Sequence, residues 1–229
     1  MHKRLSIWEQ FIRIYLVCDL IFRGQYVSLF SFLNEPQKMK AHVDDYSAKA
    51  KLETRLSDLF ASTRKRPTVI LCIGTDRSTG DALGPLIGTH LSRLNLPQLN
   101  VYGTLDEPVH ATNLQESIQH IQQSFYNPFI VAIDACLGRM DSIGCITLAD
   151  GPLKPGAGVH KQLPAVGEAH ITGIVNVGGF MEYMVLQNTR LNLVWRMSEN
   201  ICTLITHSYL KVRYKENLTG NKPSGTDGQ

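Results

Sequence analysis

Residues 68–73, Thr-Val-Ile-Leu-Cys-Ile, form a continuous apolar run with no polar alternation. A strand covered on both faces reads this way, and such strands belong to parallel sheets. A polar, glycine-bearing turn follows from Gly74 to Gly80, and Asp81-Ala82-Leu83-Gly84-Pro85 then opens a segment that predicts a helix over 83–94. Asp81 and Gly84 are both candidate N-caps, and Pro85 falls in the first turn, where a missing N–H costs little.

The same alternation continues on either side. Leu52, Leu56, Leu59 and Phe60 make one apolar stripe and predict a helix over 44–62, ended by Arg64-Lys65-Arg66 and Pro67. A short strand is predicted at 100–104, a helix at 112–124 on Leu114, Ile118 and Ile121, and a strand at 129–134 that ends on Asp134. Further strands are predicted at 143–148 and 171–177, separated by a glycine- and proline-rich loop over 151–159. Two helices, 180–187 and 191–211, close the domain; in the second, Val194, Met197, Ile201, Leu204 and Ile205 form the buried face. Strands alternating with helices predict an α/β sandwich around a largely parallel sheet. The domain is expected to span 39–214, with a flexible polar tail over 215–229.

Residues 1–38 do not share this pattern. Met1-His2-Lys3-Arg4 is basic and an aromatic and aliphatic run follows, but Glu9, Arg13, Asp19 and Arg23 interrupt it. No uncharged stretch approaches the roughly 20 residues that a spanning helix needs, and no cleavage site follows a clean apolar core. Ile7, Phe11, Ile14 and Tyr15 have the spacing of a short amphipathic helix. The break at Glu35-Pro36 makes residues 1–38 an atypical extension and Met39 an alternative start, which N-terminal sequencing of the native protein distinguishes.

Composition narrows the function classes. The 229 residues are 43% hydrophobic and 19% charged, ordinary values for one globular domain. A net charge of +3 without a clustered basic face argues against nucleic acid as a partner. The five cysteines form no C-x-x-C pair, and Cys72 and Cys136 lie in apolar runs, so a reducing, cytoplasmic compartment is expected and no membrane partner.

The candidate chemistry lies in Asp81 and Asp134. If their strands are parallel neighbours, both acids reach the same sheet edge, where α/β proteins bind ligands. Singly, Asp81 reads equally as a helix cap and Asp134 as a strand-end residue bonding nearby N–H groups. Asp76 either braces the turn or enters the site. As a pair the two acids share a proton: one takes a proton from water while the other polarises a carbonyl or protonates a leaving amine. The helix start is expected to favour ionised Asp81, making it the base and Asp134 the acid.

Neither a G-x-S-x-G elbow nor an H-E-x-x-H helix occurs, and the turn fits neither a P-loop nor G-x-G-x-x-G. Free N–H groups at a strand–turn–helix start still suit an anion, so a phosphate-binding module competes. His110, His160 and His170 match no zinc spacing, and no metal or cofactor is expected.

Four ordered blocks carry a family resemblance: residues 72–85 (Cys-Ile-Gly-Thr-Asp-Arg-Ser-Thr-Gly-Asp-Ala-Leu-Gly-Pro), 132–138, 154–159 and 173–182. They resemble the YyaC-type sporulation proteins, a family similar in turn to the germination protease of spores and, more distantly, to hydrogenase-maturation proteases. The resemblance implies a three-layer α/β/α fold, catalytic roles for Asp81 and Asp134, and a substrate-facing loop over 155–159. Gly156 and Gly158 there, with Asp76, are the expected substrate-binding residues. It also implies a sporulation-associated peptidase acting on a protein or peptide, with small spore proteins as the substrate class, in the cytosol of the developing spore or mother cell; an oligomer is compatible with it. The alternative is a non-catalytic sporulation protein that binds a peptide or a small anionic ligand in the same cleft.

Overall fold

The computed structural model describes residues 37–155 and 163–220. Residues 1–36 of the N-terminal extension, with the predicted amphipathic helix, and Gly156, Gly158 and His160 lie outside the described residues. The described chain runs β1 (Lys38–His42), α1 (Tyr46–Ser62), β2 (Thr68–Cys72), α2 (Leu83–Leu94), β3 (Leu99–Tyr102), α3 (Leu114–Ser124), β4 (Phe129–Gly138), β5 (Cys145–Asp150), β6 (Ala169–Val177), α4 (Glu182–Gln187) and α5 (Leu191–Gly220). Most predicted elements are present, with ends moved by a residue or two.

The strands form one sheet in the order β1-β5-β6-β4-β2-β3. β3, β2, β4 and β6 pair in parallel, while β5 is antiparallel to both β6 and β1. β1 is a strand the sequence pattern did not predict: its five residues, Lys-Met-Lys-Ala-His, are short and half polar, as edge strands often are. The chain steps from β2 outward to β3 and then returns to the other side of β2 as β4. That reversal puts a topological switch between β2 and β4, and its crevice opens at their carboxyl ends.

Strand alternation divides the core in two. Ile70, Cys72, Val131, Ile133, Ile171 and Val175 face one side, packed with buried residues of α1, α2 and α5. Val69, Leu71, Ile73, Ile130 and Ala132 face the other, against Leu114, Ile118 and Ile121 of α3 and the bridged residues Leu153 and Val166. The result is a three-layer α/β/α sandwich. It explains why β2, buried at every position, reads as an unbroken apolar run.

α2 packs closer to the sheet than side chains normally allow. A Cβ at Gly84 would lie 2.1 Å from the Ile73 carbonyl oxygen, and one at Gly88 would lie 2.0 Å from that of Gly103. Glycine one turn apart at these positions lets helix backbone rest on strand and loop backbone. Gly173 of β6 leaves room in the same way for Leu83 and Met197. At the other end of α1, Asp45 caps the helix by accepting from the Ala48 N–H at 2.9 Å. Arg55 of α1 pairs with Asp150 of β5 at 2.6 Å, tying that helix to the sheet.

Three expectations change. α5 continues to Gly220, beyond the 211 predicted and into the expected tail. β4 does not end at Asp134 but continues to Gly138, because β6 keeps pairing with it there. α2 is capped by Ala82 with no side-chain bond, so neither Asp81 nor Gly84 is its N-cap.

Gly84→Ala is expected to lower unfolding free energy by about 3 kcal/mol, because the methyl group meets backbone that cannot move aside. Urea denaturation followed by circular dichroism measures it.

Candidate active site

Two strand ends and one turn build the site. β2 and β4 stay in register to Cys72 and Ile133, and the Ile73 N–H then donates to the Ile133 carbonyl at 2.7 Å. Asp134 is the next residue of β4, just past the end of β2. It lies on the face of Ile130 and Ala132, and its register neighbour in β6 is Thr172.

The turn after β2 folds back on itself. The Gly74 N–H donates to the Val109 carbonyl (2.8 Å), the Thr75 N–H to that of Asp81 (3.2 Å), and the Ala82 N–H to that of Ser78 (2.9 Å). Gly74 has φ +148°, and a Cβ on it would lie 2.0 Å from the Asp81 carbonyl oxygen. Only glycine accepts both conditions. The turn is also tied to α4, where the Gly80 N–H donates to the Leu186 carbonyl at 2.9 Å.

This geometry bears on anion binding. The N–H groups of Gly74, Thr75, Arg77, Gly80, Ala82 and Leu83 are already hydrogen-bonded within the protein. Two carboxylates stand beside them. The turn therefore presents few free donors and the wrong charge for a phosphate, and the anion cradle is the weaker use of it.

The two acids differ in environment. Asp134 is buried, with 8% of its surface exposed, whereas Asp81 is partly open. Burial raises the Asp134 carboxyl well above its ordinary range, the charge of Asp81 raises it further, and the Ala135 N–H offsets part of this. Burial also raises Asp81, while His110 pulls it back down. The helix start was expected to favour ionised Asp81. In the structure Asp81 lies ahead of the Ala82 cap and burial dominates, so the direction is upward. Ionisation of the pair begins at Asp81, and Asp134 keeps its proton longer.

Other predicted residues separate. Asp76 is exposed in the turn, where it accepts from the Thr75 hydroxyl at 3.5 Å. His170 stands on β6 with its Nδ1 2.9 Å from the Gly151 carbonyl oxygen.

The structure adds residues that sequence reasoning missed. Registers place Lys40, Thr147, Thr172 and Asp134 side by side across β1, β5, β6 and β4. Paired positions share a face, so these four make a polar row on the Asp134 side. Cys136, two residues past Asp134, lies on that face with the Thr172 hydroxyl bonded to it, and burial keeps its thiol protonated. The legible signal was the period of two in β6, where His170, Thr172 and Asn176 alternate with apolar residues. Ser78, in the turn, has a buried hydroxyl with no partner among the described residues.

Fold and site define an α/β/α protein with a coupled aspartate pair at a topological switch point. By sequence the chain belongs to the DUF1256 family, described as a protein family of unknown function, whose profile matches residues 40–204. The chain is 54% identical over 170 residues to the uncharacterized protein YyaC of Bacillus subtilis (strain 168), covering 74% of this chain and 82% of that protein. The resemblance to YyaC drawn from the four sequence blocks is thus borne out. Among solved structures the chain is similar to the NiFe hydrogenase maturation protease HycI from Thermococcus kodakarensis KOD1, with a TM-score of 0.49, 19% identity, and coverage of 68% of this chain and 99% of that one.

The pair has a consequence for stability. Both acids sit above their unfolded values, so the folded state binds more protons than the unfolded one as pH rises past about 4. Stability is therefore expected to fall with rising pH through the window in which Asp134 stays protonated when folded. Asp134→Asn is expected to raise the Tm relative to the parent at pH 7 but not at pH 3, as scanning calorimetry across pH will show. Ser78→Ala removes an unpaired hydroxyl, and its expected effect on Tm is neutral or upward.

Proposed function

We propose that the chain is a peptidase that uses Asp81, Asp134 and a water molecule. The observation that carries this reading is the placement of two aspartates from separate segments, buried Asp134 and partly open Asp81, beyond the paired ends of adjacent parallel strands. The partly open member, Asp81, takes a proton from water. The buried member, Asp134, donates its proton to the substrate carbonyl oxygen; Asp81 then passes the proton it took from water to the leaving amine, and the collapsing diol returns a proton to Asp134. The water oxygen bonds to the carbonyl carbon, the C–N bond breaks, and the pair ends with one shared proton as it began. The resemblance to YyaC-type proteins points to small spore proteins as substrates, in the cytosol of a sporulating cell.

A non-catalytic peptide-binding role is the second reading. It is favoured by the exposed apolar side chains Phe180 (87%) and Tyr183 (68%) on the segment that follows β6. That segment joins the Asp81 turn through the Gly80–Leu186 bond.

Incubating the purified protein with a spore-protein extract, beside Asp81→Asn and Asp134→Asn, separates the two. Peptidase action is expected to fall by about a hundredfold or more in each variant. Cleavage that survives in either variant removes that acid from the mechanism. Peptides captured but not cut by the parent protein favour the binding role.

A further inference from the structure

β6 ends at Val177, and the segment after it is built the wrong way round for a lone globular chain. α4 is six residues long, too short to be stable by itself, and none of its residues is buried. Besides the half-buried Leu186, what holds it is polar. Asn176 Nδ2 donates to the Val185 carbonyl at 3.3 Å and to the Thr189 hydroxyl at 3.2 Å, and the Gly80 N–H donates to the Leu186 carbonyl. Large apolar side chains meanwhile face water. They are Phe180, Met181, Tyr183 and Met184 on this segment, then Leu191 and Trp195, one turn apart at the start of α5. The Trp195 ring stands edge-on against His90 of α2, with ring centres 5.3 Å apart.

These six residues are between 44% and 87% exposed, which leaves on the order of 800 Å² of their surface open. The largest apolar patch on a monomer is ordinarily about 300–600 Å². Each partner in a standard specific contact covers about 800 Å². Composition agrees, because contact surfaces gather aromatic residues, methionine and arginine and are poor in lysine and aspartate. From Phe180 to Trp195 the chain has no lysine and no aspartate, and its charges are Glu182 and Arg190. Arg190 is exposed, and Glu182 accepts with one oxygen from the Gly179 N–H at 3.2 Å. A two-fold contact brings the same patch together on both copies, so the patch must be complementary to itself. An apolar face carrying one charge of each sign meets that condition, since neither copy brings a surplus charge to the other.

We infer that this face, from Phe180 to Trp195, docks a second copy of the chain across a two-fold axis, with Phe180, Tyr183 and Trp195 as its anchors. The area open on one copy matches what a stable dimer needs, and the face needs no partner chemistry beyond its own. The same segment bonds Gly80, the residue before Asp81, so docking also steadies the turn that carries that acid. The inference does not rest on the peptidase reading. It gives Phe180 and Tyr183 to a second copy, where the peptide-binding role gives them to a peptide.

Sedimentation velocity on the full chain, from about 1 to about 100 μM, measures the association. A species of twice the chain mass is expected. Phe180→Glu and Tyr183→Glu each place a charge within the face and are expected to weaken the dimer about a hundredfold or more. Both positions are open to water, so the fold is expected to survive, which circular dichroism checks. Tyr126→Glu changes an aromatic residue that is as exposed but lies outside the face, and it is expected to leave association unchanged. A second readout needs no variant of the face beyond signal assignment. In protein labelled with ¹³C at the methionine methyls, the Met181 and Met184 signals are expected to move on dilution, while those of buried Met197 and exposed Met140 stay in place. A parent chain that is monomeric throughout the range overturns the proposal. So does a dimer that persists in both folded glutamate variants, or one whose formation leaves the Met181 and Met184 signals unmoved. Signals that move only when a spore-protein digest is added to a monomeric parent give the face to a peptide and overturn it as well.

Discussion

The pairing of β2 with β4 is the constraint on which the rest of the site depends. Backbone hydrogen bonds carry it to Ile73 and Ile133, and each strand is buried on both faces along that length. Slipping the pair by one residue would turn every side chain to the opposite face. It would also move Asp134 away from the end of β2. The position of the buried acid is thus as rigid as the most buried part of the sheet.

The turn that carries Asp81 is pressed onto this pair by α2. Gly84 and Gly88 let the helix rest on backbone, and Gly74 lets the returning chain lie against the turn's own start. Side chains elsewhere transmit position through packing that can adjust by fractions of an ångström. Here backbone touches backbone, and there is little to adjust. A site that relies on two acids at a set separation is well served by such contacts.

Burial and charge oppose each other within the pair. Burial raises both carboxyls, and the Asp81 charge adds to this at Asp134. The Ala135 N–H and His110 act the other way, one on each acid. Two chemically identical side chains thereby become different. The deeper one retains a proton, and the shallower one, open to water, ionises first. Unpaired burial of this kind costs stability, and such cost is commonly found where groups are kept for chemistry.

Much of the fold was legible in the sequence because apolar periodicity is a local signal. The continuous runs at 68–73 and 129–134 mark strands covered on both sides, and the stripe from Leu52 to Phe60 marks a helix with one buried face. β1 escaped because an edge strand of alternating lysines has no such signature. The end of β4 was misplaced because polar Asp134 reads as a boundary, while pairing with β6 carries the strand on. Asp81 and Asp134 could be picked out as acids after apolar runs. The parallel adjacency of their strands depends on strand order, which is decided by packing between residues some fifty positions apart. The sequence by itself determined the helices, the buried strands and the two acids as candidates, because those follow from local pattern and residue chemistry. Only the tertiary structure decided that the strands leading to the acids are parallel neighbours and that Asp134 is the more deeply buried of the two, because burial and long-range register exist only once the chain has folded.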